Sequence, residues 1–140
     1  MYFHVSSAED PSTFAGNVSH SFRVKLPRAV YLQPSTNYEI ALVDIFTPNL
    51  ASQYTPAYVT VNTDICDLSI VDNGLQPVLQ RLYPDHIGGA TEFTNPRYIQ
   101  LNTEEIDTIH LYLLDDQQAS PSFEKGTVYA TLHLRTQQAF

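Results

Sequence analysis

From Phe22 to Pro48 the chain reads as two strands and the corner between them, and no other stretch constrains the fold as much. In Phe22-Arg23-Val24-Lys25-Leu26 every second residue is apolar, which sets Phe22, Val24 and Leu26 on one face and Arg23 and Lys25 on the other. That alternation describes a strand with one face in a core and one in water. Pro27 lacks the N–H a ladder needs and is expected to end the run, and Pro34-Ser35-Thr36-Asn37 supplies turn chemistry before Tyr38. The next run, Tyr38 to Phe46, is apolar at nearly every position, Ile40 and Leu42 included, with Glu39 near its start and Asp44 near its end. A strand apolar on both faces calls for protein on both sides, either a second sheet or a neighbouring subunit.

The remaining segments repeat the strand pattern. Tyr2 to Ser6 is expected as a first, edge strand, Ala8 to Asn17 as loop, and Tyr58–Val61, Leu68–Val71 and Arg97–Leu101 as further short strands. Asp72-Asn73-Gly74 is the strongest turn signal, because Asn and Gly accept the positive φ angles of tight hairpins. It is expected to join Leu68–Val71 to Val78–Leu82. Pro84 to Ala90, with Gly88-Gly89, is a candidate mobile loop. In the last third Ile109, Leu111 and Leu113 alternate with polar or aromatic residues, as do Val128, Ala130, Leu132 and Leu134. These two amphipathic strands are expected to pair, to cover Tyr38–Phe46, and to carry Asp115–Lys125 as a hairpin tip that meets a partner.

No segment sustains the apolar period of about 3.6 residues that marks a helix. Roughly eight short strands punctuated by prolines therefore indicate an all-β chain, an antiparallel β-sandwich, and 140 residues suit one domain spanning 1–140. Phe22, Val24, Leu26, Ile40, Leu42, Ile109, Leu111, Val128, Leu132 and Leu134 are its core candidates.

Charge narrows the functional classes. A formal charge of -8 with only seven scattered Lys and Arg argues against direct nucleic-acid binding, which needs clustered cations to displace counterions. Charged residues make up 16%, below the roughly one quarter of an ordinary soluble domain, so part of the surface is expected to be covered by neighbours. No charged start leads into an apolar run and no apolar stretch is long enough to span a bilayer, so neither secretion nor a membrane span is expected. Asn17-Val18-Ser19 matches the glycosylation sequon, without a signal peptide to bring it to the modifying enzymes.

Catalytic and metal chemistry find little support. His4, His20, His86, His110 and His133 lie far apart, and the lone Cys66 excludes an internal disulfide and a cysteine-only zinc site. Pairing of the last two strands would bring His110 and His133 together, as exposed or interface histidines and, if buried by an interface, as a pH-sensitive contact. Asp64 with Asp67, Glu104 with Glu105, and Asp115 with Asp116 lack the spacing of a calcium loop and read as solvated loop charges. No nucleophile elbow, phosphate loop or ordered triad is present, so no catalytic, cofactor or metal residue is assigned and the chain is expected not to be an enzyme.

Aromatics are the other resource: nine Tyr and seven Phe, with no Trp. Tyr combines large contact area with a polar tip, which favours it in protein interfaces. Tyr54, Tyr58, Tyr83, Tyr112 and Tyr129, with His110 and His133, are the interface candidates.

These motifs carry a family resemblance. The opening MYFHVSSAEDPSTFAGNVSHSFRVKLPRAVYL and the following NYEIALVDIFTP resemble capsid-associated proteins of Polinton or Maverick elements and adintovirus-like viruses. In that family a short strand and an Asn/Ser-rich loop precede a Phe-x-Val-x-Leu-Pro strand and a Trp-Glu-Val-Ala-Leu-x-Glu-Ile-x-x-Pro strand. PVLQRL, FTNPRYIQL, IDTIHLYLLDD and FEKGTVYATLHLR continue the likeness in the same order. Here Tyr38 stands in place of the Trp, Asp44 in place of the Glu, and Asn49-Leu50 follows Pro48 where an aromatic is common. The resemblance implies a single jelly roll acting as a minor capsid protein, the penton at fivefold vertices of a virion. Its partners would be copies of itself, as a homopentamer or alternatively a trimer, and a double-jelly-roll major capsid protein. The virion, and the host cytoplasm or nucleus during assembly, would be its locations. A receptor-binding or spike module of the same fold, using loops such as 51–57 and 85–91, is the alternative, and a carbohydrate-active enzyme with two facing carboxylates is a third class.

Overall fold

The alternating segments fold as strands, and the computed structural model describes residues 1–8, 14–71 and 74–137. In chain order they are β1 (Tyr2–Ser6), β2 (Ser21–Tyr31), β3 (Tyr38–Thr47), β4 (Val59–Thr63), β5 (Ser69–Val71), β6 (Gly74–Gln76), β7 (Val78–Leu82), β8 (Gly89–Glu92), β9 (Ile99–Gln100), β10 (Glu105–Asp115) and β11 (Tyr129–Thr136). The chain is all-β with antiparallel pairing throughout. One sheet has the order β1-β11-β3-β8, with the short β9 also on β3; the other has the order β2-β10-β4-β7. Apart from β5, β6 and β9, the strands pass from sheet to sheet as the chain proceeds, and only β4 and β7 follow one another within a sheet.

Alternation explains the layers. Phe3 and Val5, Ile40 and Leu42, and Leu132 and Leu134 project from the first sheet; Phe22 and Val24, Val59 and Val61, and Ile109 and Leu111 project from the second. All lie in a single apolar core between the sheets, each large aliphatic contributing about 1.5–3 kcal/mol by leaving water. Val128 is also buried there, whereas Leu26 is half-buried at its margin.

Several expectations are corrected. β10 and β11 do not pair: β10 lies between β2 and β4, and β11 between β1 and β3. Alternation tells only that each strand has one face on a core, and two strands can meet that requirement from opposite sides of the same core. The chain between them is accordingly a crossover and not a hairpin tip. For the strand apolar on both faces, β10 lies in the facing sheet, while β11 is hydrogen-bonded beside it; the outer face holds buried Ala41 but leaves Phe46 42% exposed.

Pro27 does not end β2. The strand runs on to Tyr31, with a register irregularity opposite Ile106 and Thr108, because β2 is an edge strand whose outer N–H positions need no partner. The expected hairpin from 68–71 to 78–82 is also replaced. β5 pairs with β6, and β7 pairs with β4, since Pro77 separates Gly74-Leu75-Gln76 from Val78. The Asp72-Asn73 turn itself lies outside the described residues, as does part of the Ala8–Asn17 loop. The expected mobile loop 84–90 contains a 3-10 turn, Pro84–His86, and the start of β8.

Candidate functional site

The interface candidates separate onto different surfaces. His110 and Tyr112 lie on the outer face of the β2-β10-β4-β7 sheet, their rings 4.9 Å apart, and His110 Nε2 is 3.0 Å from Ser21 Oγ. Burial, with the Arg23 charge assisting and Asp64 opposing, lowers the His110 pKa; burial raises that of Tyr112, the Cys66 and Asp64 charges adding to it. Tyr129 and His133 lie on the outer face of the other sheet. His110 and His133 are therefore not brought together, because their strands belong to opposite sheets.

Around His133 the outer face is built of rings. Tyr2, its cross-strand neighbour, stacks on the imidazole with centroids 4.4 Å apart and planes 19° from parallel. The Tyr98 hydroxyl is hydrogen-bonded to His133 Nδ1 at 2.7 Å, and the Arg135 guanidinium lies 3.4 Å above the Tyr98 ring while Arg135 Nε donates to Glu39 Oε1 at 2.7 Å. Further along, Tyr129 is 52% exposed and meets Phe46 edge-on at 6.0 Å.

Tyr54 and Tyr58 are engaged within the chain. The Tyr54 hydroxyl donates to Asp115 at 2.6 Å, and burial, with this bond and the neighbouring carboxylates assisting, raises its pKa well above the usual phenol range. Tyr58 lies 4.4 Å beneath the Arg81 guanidinium. Tyr83 remains exposed, next to His86 in the 3-10 turn. Asp115 is not a solvated loop charge: it is buried and accepts N–H bonds from Gln117 and Ala119 as well as the Tyr54 hydroxyl.

A surface not foreseen from the sequence is the β5–β6 hairpin. It lies over the outer face of the β2-β10-β4-β7 sheet and is held through polar groups, by Thr60 of β4 and by Gln118 and Arg97 of neighbouring loops. Thr60 Oγ1 donates to Gln76 Oε1 at 3.5 Å, the Gln76 amide donates to Gln118, and Arg97 donates to Ser69 Oγ at 3.4 Å. Gln76 and Val71 are buried beneath, whereas the cross-strand pair Ile70 and Leu75 points away, 81% and 63% exposed, with Leu68 at 59%. An ordinary surface hairpin turns its large apolar residues inward; here only Val71 is turned that way, and Ile70 and Leu75 are on the outside. The period-2 alternation of Ser69-Ile70-Val71 was visible; which side would face the sheet was not, because the polar floor of Thr60 and Asn62 is a property of β4.

Among the described residues no group of three or more His, Cys, Asp or Glu is placed to hold a metal ion, and no helix is long and apolar enough to cross a membrane. Fold and surfaces together define an antiparallel β-sandwich domain with aromatic and aliphatic outer patches. Neither a protein-family model nor a curated protein matches the chain.

Proposed function

We propose that this chain is a non-enzymatic structural protein that assembles with copies of itself, a single jelly roll serving as the penton-type minor capsid protein of a virion. The observation that carries the self-assembly reading is the β5–β6 hairpin. Ile70 and Leu75 form a directly opposed aliphatic pair, exposed on a small sheet whose other face carries Ser69, Val71 and Gln76. Contiguous exposed apolar surface on an otherwise well-packed domain marks a contact surface. Two-stranded hairpins are marginal alone, and an apolar cover contributed by a neighbouring copy would stabilise this one.

The strand order supports the jelly-roll reading. Eight longer strands form two four-membered sheets whose members alternate along the chain except at β4 and β7, the connectivity that two Greek keys produce. The vertex role, the preference for five copies, and the major capsid protein as neighbour rest on the motif resemblance of Phe22–Leu26 and Tyr38–Pro48.

Native mass spectrometry of the purified chain, alone and with Ile70→Glu/Leu75→Glu, tests the reading. A pentamer that the double variant reduces to monomers, with its melting temperature retained, is the expected result. A wild-type chain that stays monomeric and is absent from purified particles would overturn it. A trimer that binds cells or glycans and stays off vertices would transfer the fold to the spike role.

A further inference from the structure

We propose that His133 is an acid-sensitive latch, whose neutral form holds the N-terminal strand β1 and the Tyr98 segment against the outer face of the five-stranded sheet. Among the described residues β1 is the edge strand of that sheet and pairs only with β11. Two unrelated pieces of chain meet on the one imidazole. Tyr2 of β1 covers its face at 4.4 Å, and the Tyr98 hydroxyl binds its Nδ1 at 2.7 Å. Ala41 lies beneath on β3, fully buried. His133 is thus the shared contact of an edge strand and a loop.

The surroundings decide the sign. Nearest His133 on this face are the Met1 ammonium, which donates to the Leu134 carbonyl at 3.0 Å, Tyr2, Tyr98, Arg135, and Glu39. Farther along the same face lie His4, bound to Thr131 Oγ1 at 3.2 Å, together with Asp44, Glu92 and Tyr129. Glu39, on the neighbouring strand β3, is already bound to Arg135 at 2.7 Å. A proton on His133 would add a third cation beside the ammonium and the guanidinium, and would force Nδ1 to donate, so the Tyr98 hydroxyl must accept. Stacking on Tyr2 offsets part of that repulsion. Burial, then the ammonium and Arg135, lowers the His133 pKa below its ordinary 6.5. With the folded value depressed, the latch is fully set above pH 6.5 and is lost as pH falls through the lower folded value.

Phe3 and Val5 remain in the core, so acid loosens β1 without stripping it from the sheet. Hydrogen exchange of the intact chain, corrected for the intrinsic pH dependence of exchange, reads this directly. Peptides covering 2–6 and 93–98 should exchange about threefold faster in mild acid than at neutral pH, while β10 is unchanged. His133→Gln should remove the difference, and Tyr98→Phe should loosen 93–98 already at neutral pH. Should His133→Gln fail to fold, a ring titration of the wild type by NMR replaces it: the His133 midpoint must coincide with the β1 amide changes. Exchange of β1 that is independent of pH, that tracks β10, or that follows the midpoint of His4 or His110 would overturn the proposal.

Discussion

Tyr54 and Asp115 are joined by a 2.6 Å hydrogen bond from the phenol to Oδ2, while Oδ1 accepts the N–H groups of Gln117 and Ala119 at 2.9 and 3.0 Å. The contact fastens the connection after β3 to the turn that ends β10. Tyr54→Phe leaves a buried carboxylate short of one donor, and a loss of about 1–3 kcal/mol is expected. Burial alone would raise the Asp115 pKa, but the Tyr54 hydroxyl and the two N–H groups outweigh it and hold the pKa below 3.8. This stabilisation is present above pH 3.8 and lost as pH falls through the lower folded value. Asp115→Asn should therefore be less stable at neutral pH and show a shallower loss in acid, as measured by urea unfolding. A Tyr54→Phe variant with wild-type stability would show that the bond is idle.

The same pair marks how far the sequence could be read. That β10 and β11 are strands, and which residues of each enter the core, followed from period-2 alternation, since Ile109, Leu111, Leu132 and Leu134 are all buried. That the strands sit in opposite sheets did not follow, because pairing depends on contacts distant in sequence, such as Ile109 with Val24 and Leu132 with Leu42. Tyr54 reads as an interface candidate in the sequence because its partner, Asp115, lies far along the chain. For Leu68–Val71 the alternation gives a strand with two faces and does not say which of them faces inward, so the exposure of Ile70 is not legible in it.

Charging the core tests the assignment of faces. Ile40 and Leu132 have no exposed surface and lie in the same core cluster. Placing Asp or Glu at either buries an unpaired charge, a cost of several kcal/mol or more against a total stability of about 5–15 kcal/mol. Ile40→Glu and Leu132→Asp should each be recovered as insoluble or unfolded protein. A soluble variant with a normal melting transition would mean that these strands present their other faces to the core.

Gly88 is held by two constraints at once. Its φ is +87°, and a Cβ added there would fall 2.3 Å from Asn49 Oδ1. The Asn49 side chain can move away; the backbone strain of a left-handed conformation remains. Gly88→Ala should lower stability by about 1–3 kcal/mol, and adding Asn49→Ala should restore only the part due to the clash. Gly16, with nothing within 4 Å of its added Cβ, is the control and should tolerate Ala with little change. Thermal melts of the three variants decide the matter, and full rescue by Asn49→Ala would mean that the backbone angle carries no cost.

Cys66 reports on the integrity of the far end of the sandwich. It has no exposed surface, bridges to Leu101, and lies beside Asn102, whose amide donates to the Cys66 carbonyl at 3.1 Å. Burial, with the Asp67 charge adding to it, pushes the thiol pKa up to about 12. The thiolate is the reactive form, so the folded chain should react with an aromatic disulfide reagent at mildly alkaline pH far more slowly than the urea-unfolded chain does. Asn102→Ala, which removes the amide's bonds to the Asp64 and Cys66 carbonyls at 3.2 and 3.1 Å, should accelerate labelling by opening this end locally. If native and unfolded chains were labelled at the same rate, the segment from Asp64 to Asp67 could not be packed against Leu101.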